Sequence, residues 1–130
     1  PESAKYEQFR KMRDELTGRL HDKEFYNAYT YYKIGKHKSA IVALKNALRY
    51  FPDTPHREEL MYLIVGSGYE LAHNSVQAKQ TDRYLSMLDS YYTFIAEFPE
   101  SARRKEVDRM AQEAKDYLAK NQKNDTQDGN

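Results

Sequence analysis

Four histidines, twenty carboxylates and no cysteine are the groups from which this chain could build a reactive centre. The histidines, His21, His37, His56 and His73, stand 16 to 19 residues apart. A metal site on one helix needs ligands three to five residues apart, and no pair of them fits. Glu70 and His73 match one half of a di-metal carboxylate motif, but no second Glu-x-x-His exists to complete it. Without cysteine, disulfide and thiol chemistry are excluded within the chain. No Gly-rich phosphate loop is present: Gly66-Ser67-Gly68 falls inside a helical apolar pattern, where close helix packing explains it better. Serines, histidines and acids form no ordered constellation. The expectation is therefore a protein that is not an enzyme, with no cofactor and no metal. Tyrosine is the remaining chemical signal. Twelve tyrosines and no tryptophan suit helix packing near solvent, or a binding surface.

Bulk charge narrows the partners. Charged residues make up 32% of the 130, yet the net charge is only +1. A near-balanced chain has no general attraction for nucleic acid or an anionic membrane. Its longest uncharged run, Leu60 to Tyr69, is about half a bilayer span. Arg103-Arg104-Lys105 is the densest basic cluster. With Glu106, Asp108 and Glu113 nearby, it reads as a solvated helix face with internal ion pairs.

Periodicity supplies the elements that must position these groups: an all-α chain of five helices. The first has Ser3 as N-cap and Tyr6, Phe9, Met12, Leu16 and Leu20 at helical spacing. It runs on past Gly18 through Phe25 and Ala28 toward Gly35, or gives way to an inserted helix. The second carries Ala40, Ile41, Leu44, Ala47 and Leu48, and stops before Pro52. The third follows Thr54 as cap and holds Leu60, Leu63, Ile64, Tyr69 and Leu71. Residues 73–81 read as a loop. A fourth helix from Thr81 ends at Pro99, and a fifth starts at Ser101. From Lys120 the composition predicts a disordered polar tail, so the domain is 1–119 and the tail 120–130.

A proline, an acid and a hydroxyl residue recur three times: Pro1-Glu2-Ser3, Pro52-Asp53-Thr54 and Pro99-Glu100-Ser101. Proline stops one helix and the hydroxyl can start the next, so this recurrence is the signature of a helical repeat array. Ala28, Tyr31, Gly35, Ala40, Leu44, Ala47 and Pro52 match, position by position, the motif of a tetratricopeptide repeat, which the segment resembles. In such a repeat Ala28 and Ala40 permit close helix approach and Tyr31 fills the gap between the helices. Tyr62, Val65, Gly66, Tyr69, Met87, Tyr91, Phe94 and Pro99 form a second, less regular copy with about nine extra residues between its helices.

The long first helix, Ala28-Tyr29-Thr30-Tyr31-Tyr32 with Gly35, and Leu48-Arg49-Tyr50-Phe51-Pro52-Asp53-Thr54 together resemble the C-terminal half of the BamD (YfiO) family of outer-membrane β-barrel assembly lipoproteins. The resemblance implies a non-enzymatic scaffold on the periplasmic face of the outer membrane. Its partners would be the barrel-forming subunit and accessory lipoproteins, with the membrane reached only through an N-terminal lipid anchor. The first triplet stands at residue 1, so the chain is expected to be a C-terminal segment of a longer protein, with an apolar edge at its start. The concave face of such an array would present Phe25, Tyr29, Tyr32 and Lys33 from one repeat and Leu63, Ser67 and Glu70 from the next. The alternative is a periplasmic or cytosolic tetratricopeptide adaptor that binds a peptide or a cell-wall enzyme.

Overall fold

The computed structural model describes residues 2–128, with side chains through residue 122. Five helices follow one another: α1 (Glu2–Lys33), α2 (His37–Tyr50), α3 (Arg57–His73), α4 (Gln77–Glu97) and α5 (Arg104–Asp128). Each packs against its sequence neighbour, α3 touches both α1 and α5, and α2 does not touch α4. Helices that meet along one side and part along the other form a curved array. α1, α3 and α5 line its inside, and α2 and α4 its outside. This is the tetratricopeptide-like architecture.

α3 is the hub. All ten residues from Leu60 to Tyr69 are buried, because neighbours surround the helix. A helix enclosed on every side needs no polar stripe, so its sequence runs apolar without period. The small residues make the enclosure possible. Ala28, Ala40, Ala47 and Ala72 are at most 2% exposed. A Cβ added to Gly68 would lie 3.3 Å from Met87 Cβ and 3.4 Å from its Cα, so α3 and α4 approach there at nearly backbone distance. Phe94, Leu44, Leu60, Leu63, Met87 and Val107 fill the space between helices. Each such side chain contributes roughly 1.5–3 kcal/mol of transfer free energy.

The helix ends follow local chemistry. Gly35 takes φ 79°, and the Lys36 N–H donates to Tyr31 O at 3.0 Å while the Gly35 N–H donates to Tyr32 O at 3.1 Å. Those two bonds close a Schellman motif on α1. At the two internal proline turns the structure repeats itself. The Thr54 hydroxyl accepts from the His56 N–H at 3.2 Å, and the Ser101 hydroxyl from the Arg103 N–H at 3.0 Å. Five residues after each proline an arginine reaches back. Arg57 Nη1 donates to Pro52 O, and Arg104 Nη1 to Pro99 O, both at 2.9 Å. Arg57 also clasps Glu97 at the end of α4, a hydrogen bond that holds the Glu97 carboxyl below its ordinary range. Arg104 pairs with Asp108 at 2.9 Å, and Asp108 accepts from Tyr91 of α4 at 2.5 Å. The Tyr91 bond is the main cause that lowers the Asp108 carboxyl, with Arg104 adding to it.

Several sequence expectations are corrected. Ser3 lies inside α1 and does not cap it. In the first triplet Tyr6 stands where Arg57 and Arg104 stand in the others, so that copy lacks the arginine. Thr54 and Ser101 cap single turns ahead of their helices, which begin three residues later. The loop is only residues 74–76. The extra residues lengthen α4, and Gln80 Nε2 donates to Ala72 O at 3.1 Å across the shortened connection. α5 continues as helix through Asp128, into the segment that composition marks as a disordered tail; extending a nucleated helix costs little, and Lys and Gln are good helix formers. The extension before Glu24 is one continuous 32-residue helix, not an inserted one. Its apolar stripe is open to solvent: Tyr6, Phe9, Met12, Leu16 and Leu20 are 44–72% exposed. Their counterparts two array steps on, such as Val107 and Met110, are buried against helices that precede α5. Tyr31 is not enclosed between helices. It lines an open outer groove between α1 and α2, at 38% exposure.

Two glycines on helix interiors separate propensity from packing. Gly18 has open space where a Cβ would go, so Gly18→Ala should stabilise by about 0.5–1 kcal/mol. Gly68→Ala should lower stability, because pressing Met87 and its backbone aside costs more than the helix gains. Thermal or urea melts of the two variants check this. An equal gain from both would contradict the close α3–α4 approach.

Candidate protein-binding face

The inner side of the array is built by three helices whose polar and aromatic side chains converge. On α1, Phe25, Tyr29 and Tyr32 stand one turn apart. Phe25 stacks on Tyr29, and Tyr29 on Tyr32, each with ring centroids 6.0 Å apart. At the other edge of Phe25 lies the ring of His56, stacked at 4.3 Å, whose Nε2 meets Asp22 Oδ1 at 2.6 Å. That contact fixes the α1 ladder to the turn before α3.

Opposite the ladder, α3 and α5 are tied by a charged lattice. The Arg103 guanidinium lies 4.3 Å over the Tyr62 ring and within 3.5 Å of Glu59 and 3.9 Å of Glu106. A planar cation over a ring with flanking carboxylates is a favourable arrangement for arginine. Two turns along, the Tyr69 hydroxyl donates to Glu113, which Arg109 approaches at 3.8 Å, and His73 stacks on Tyr69. The hydrogen bond to Glu113 and then burial push the Tyr69 phenol up, while for Tyr62 and Tyr32 burial leads. Tyr62 is raised strongly by burial and by Glu106, and Tyr32 by burial, then Glu106 and Glu70. Tyr32 of α1 thus lies within electrostatic reach of Glu70 on α3 and Glu106 on α5.

The residues assigned to this face from sequence lie on α1 and α3, at different depths. Tyr29 and Tyr32 are partly exposed and Lys33 is exposed, while Phe25 is buried beneath them as their support. Glu70 is partly exposed and within 3.5 Å of the Asn74 amide. Leu63 at 2% and Ser67 at 0% exposure are core residues and offer nothing to a partner. They point into a helix that neighbours enclose, where a regular inside–outside pattern does not hold. Tyr62, Arg103, Glu106 and Glu59 were missed. Carrying the repeat step forward to α5 would have brought Arg103 and Glu106 in. The basic cluster Arg103-Arg104-Lys105 has the expected internal ion pairs, but it is more than a solvated face. Arg103 and Arg104 tie helices and turns together.

Among the described residues, no three His, Asp or Glu side chains gather as a metal site, and no helix is long and apolar enough to cross a membrane. The family model for outer membrane lipoproteins of the YfiO type matches residues 7–124, nearly the whole chain. The chain belongs to the YfiO family. No curated protein gives a significant match. Membership in this YfiO family associates the protein with the outer membrane and agrees with the tetratricopeptide-like array of helices. The YfiO match also spans α1, α3 and α5 together, so the inner face lies wholly inside the family domain.

The raised phenols give a signed pH dependence. Tyr62 keeps its proton in the folded state above the pH at which a free phenol ionises. Its contribution is complete below about pH 10 and is lost as pH climbs through that value toward the higher folded one. Unfolding free energy measured between pH 9 and 11 should fall, and fall less steeply in Tyr62→Phe. Parallel slopes would contradict the burial and Glu106 account.

Proposed function

We propose that this protein is a non-enzymatic scaffold of the machinery that assembles β-barrel proteins into the outer membrane, working from its periplasmic face. The observation that carries this reading is the inner face of α1, α3 and α5, where the stacked Tyr29 and Tyr32 of α1 share a side with Arg103, whose guanidinium lies over the Tyr62 ring and is already paired. Tyrosine and arginine on a rigid concave surface are the residue types that dominate protein recognition. Preorganised side chains lose little freedom on binding, which favours affinity over adaptability. Family membership supports the setting, since the family is one of outer membrane lipoproteins. Its partners would be the barrel-forming subunit and accessory lipoproteins, with a segment of one of them lying along the α1–α3–α5 trough. The membrane itself would be reached only through a lipid anchor.

Tyr29→Ala with Tyr32→Ala removes the ladder but leaves Phe25 and the core in place. Capture of the barrel-forming subunit's periplasmic domains by the double variant should drop at least about tenfold, as expected when two central aromatic contacts are lost. Circular dichroism confirms the fold in the same samples. Undiminished capture by a folded variant would end the assignment of this face.

A further inference from the structure

A second surface lies on the opposite side of the array, and its charge is unlike the rest of the chain. From Phe25 to Pro52 there are five cations, Lys33, Lys36, Lys38, Lys45 and Arg49, and not one acid, in a protein whose net charge is +1. The remainder is therefore net acidic. Four arginines of the later helices and turns are engaged by carboxylates: Arg57 with Glu97, Arg103 with Glu59, Arg104 with Asp108, Arg109 with Glu113. Among the described residues, none of the five cations of this segment pairs with a carboxylate. Three of them, Lys38, Lys45 and Arg49, lie on one solvent-facing stripe of α2 together with Val42, which is 58% exposed. The stripe faces away from the buried Ala40, Leu44 and Ala47. It is about 16 Å long, from eleven residues of helix.

Beside this stripe runs a groove that the fold leaves open because α2 and α4 do not touch. Leu48, Met61 and Ile64 form its apolar floor, and its volume is about 300 Å³. Lys45 stands on the α2 wall, and Asp89, with Ser90 and Thr93, on the α4 wall. The groove is thus apolar at the bottom, positive on one side and negative on the other.

We propose that this outer groove seats an amphipathic helix of a partner protein, with acidic residues along its α2 side and a basic residue facing Asp89. A third helix laid over two others buries its apolar edge and meets charge of opposite sign on each flank, which also fixes its direction. An anionic lipid surface is disfavoured, since the apolar groups are recessed and Asp89 repels headgroups. Duplex nucleic acid is disfavoured by the same carboxylate and by the short line of three cations. This surface is separate from the α1–α3–α5 face, and neither depends on the other.

The test is a titration of the isotope-labelled protein, followed by amide NMR, with a designed Leu/Ala helix of about six turns. Glu lines one flank of this probe and Lys the other. A control probe has Glu and Lys exchanged. Shifts should gather at residues 38–49, Met61, Ile64 and Asp89. Binding should weaken about tenfold or more in Lys38→Glu/Lys45→Glu/Arg49→Glu, with Asp89→Lys added to that triple variant inverting the preference between the two probes. These residues are exposed or line an open groove, so a preserved amide spectrum certifies the fold. Shifts confined to the inner face, equal binding by the reversed variant, or tighter binding of phosphatidylglycerol vesicles or a DNA duplex would each overturn the proposal. Loss of this interaction would leave partner capture by Tyr29 and Tyr32 unaffected, so the two surfaces fail separately.

Discussion

The array depends on an arginine that reaches back over its own turn. In Phe-Pro-acid-hydroxyl-x-x-Arg, the proline ends a helix and leaves its carbonyl free, and the arginine five residues on donates to that carbonyl. The hydroxyl closes the turn between them. Both prolines are exposed, so the worth of these bonds lies in fixing the turn and not in rescuing a buried carbonyl. The guanidinium then spends its remaining N–H groups on carboxylates: Glu97 for Arg57 and Asp108 for Arg104. Through Glu97 the first turn grips the end of α4. Through Asp108 the second engages Tyr91. Two identical turns, one array step apart, thus set where α3 and α5 begin relative to their neighbours.

That placement creates the inner face. α3 starts where Tyr62 and Tyr69 face inward, and α5 starts where Arg103 falls over the Tyr62 ring. A rotation of α5 by one residue would swing Arg103 away by about 100°, given the pitch of a helix. The surface is therefore a consequence of turn chemistry as much as of helix packing. The same geometry explains why the outside differs. Inner helices meet while α2 and α4 stand apart, so the inner side presents a continuous trough and the outer side an open cleft with an apolar floor.

Much of this was legible in the sequence, because its signals are local. Gly35 needs a positive φ and ends α1 accordingly. Small residues at 28, 40 and 47 mark close helix contacts, and all are buried. The recurring proline marks each repeat boundary, though the arginine that completes the turn was not read as part of it. What escaped depends on neighbours. Leu63 and Ser67 have the same spacing as Tyr29 and Lys33, but α3 is enclosed and α1 is not. The stripe from Tyr6 to Leu20 has the pattern of a packed face, yet packing requires a second helix. Residues 77–81 are polar and still helical, since they extend α4 over a connection that Gln80 closes with its amide.

The central claim is that the trough of α1, α3 and α5 is the working surface of this outer membrane lipoprotein family member. Site-specific photo-crosslinking in cells tests it directly, with a photoreactive phenylalanine analogue at Tyr32 and, as reference, at Val76, an exposed position in the α3–α4 connection that belongs to neither surface. Tyr32 should yield adducts with the barrel-forming subunit or an accessory lipoprotein, and Val76 should yield none. Adducts from Val76 with none from Tyr32 would contradict the account.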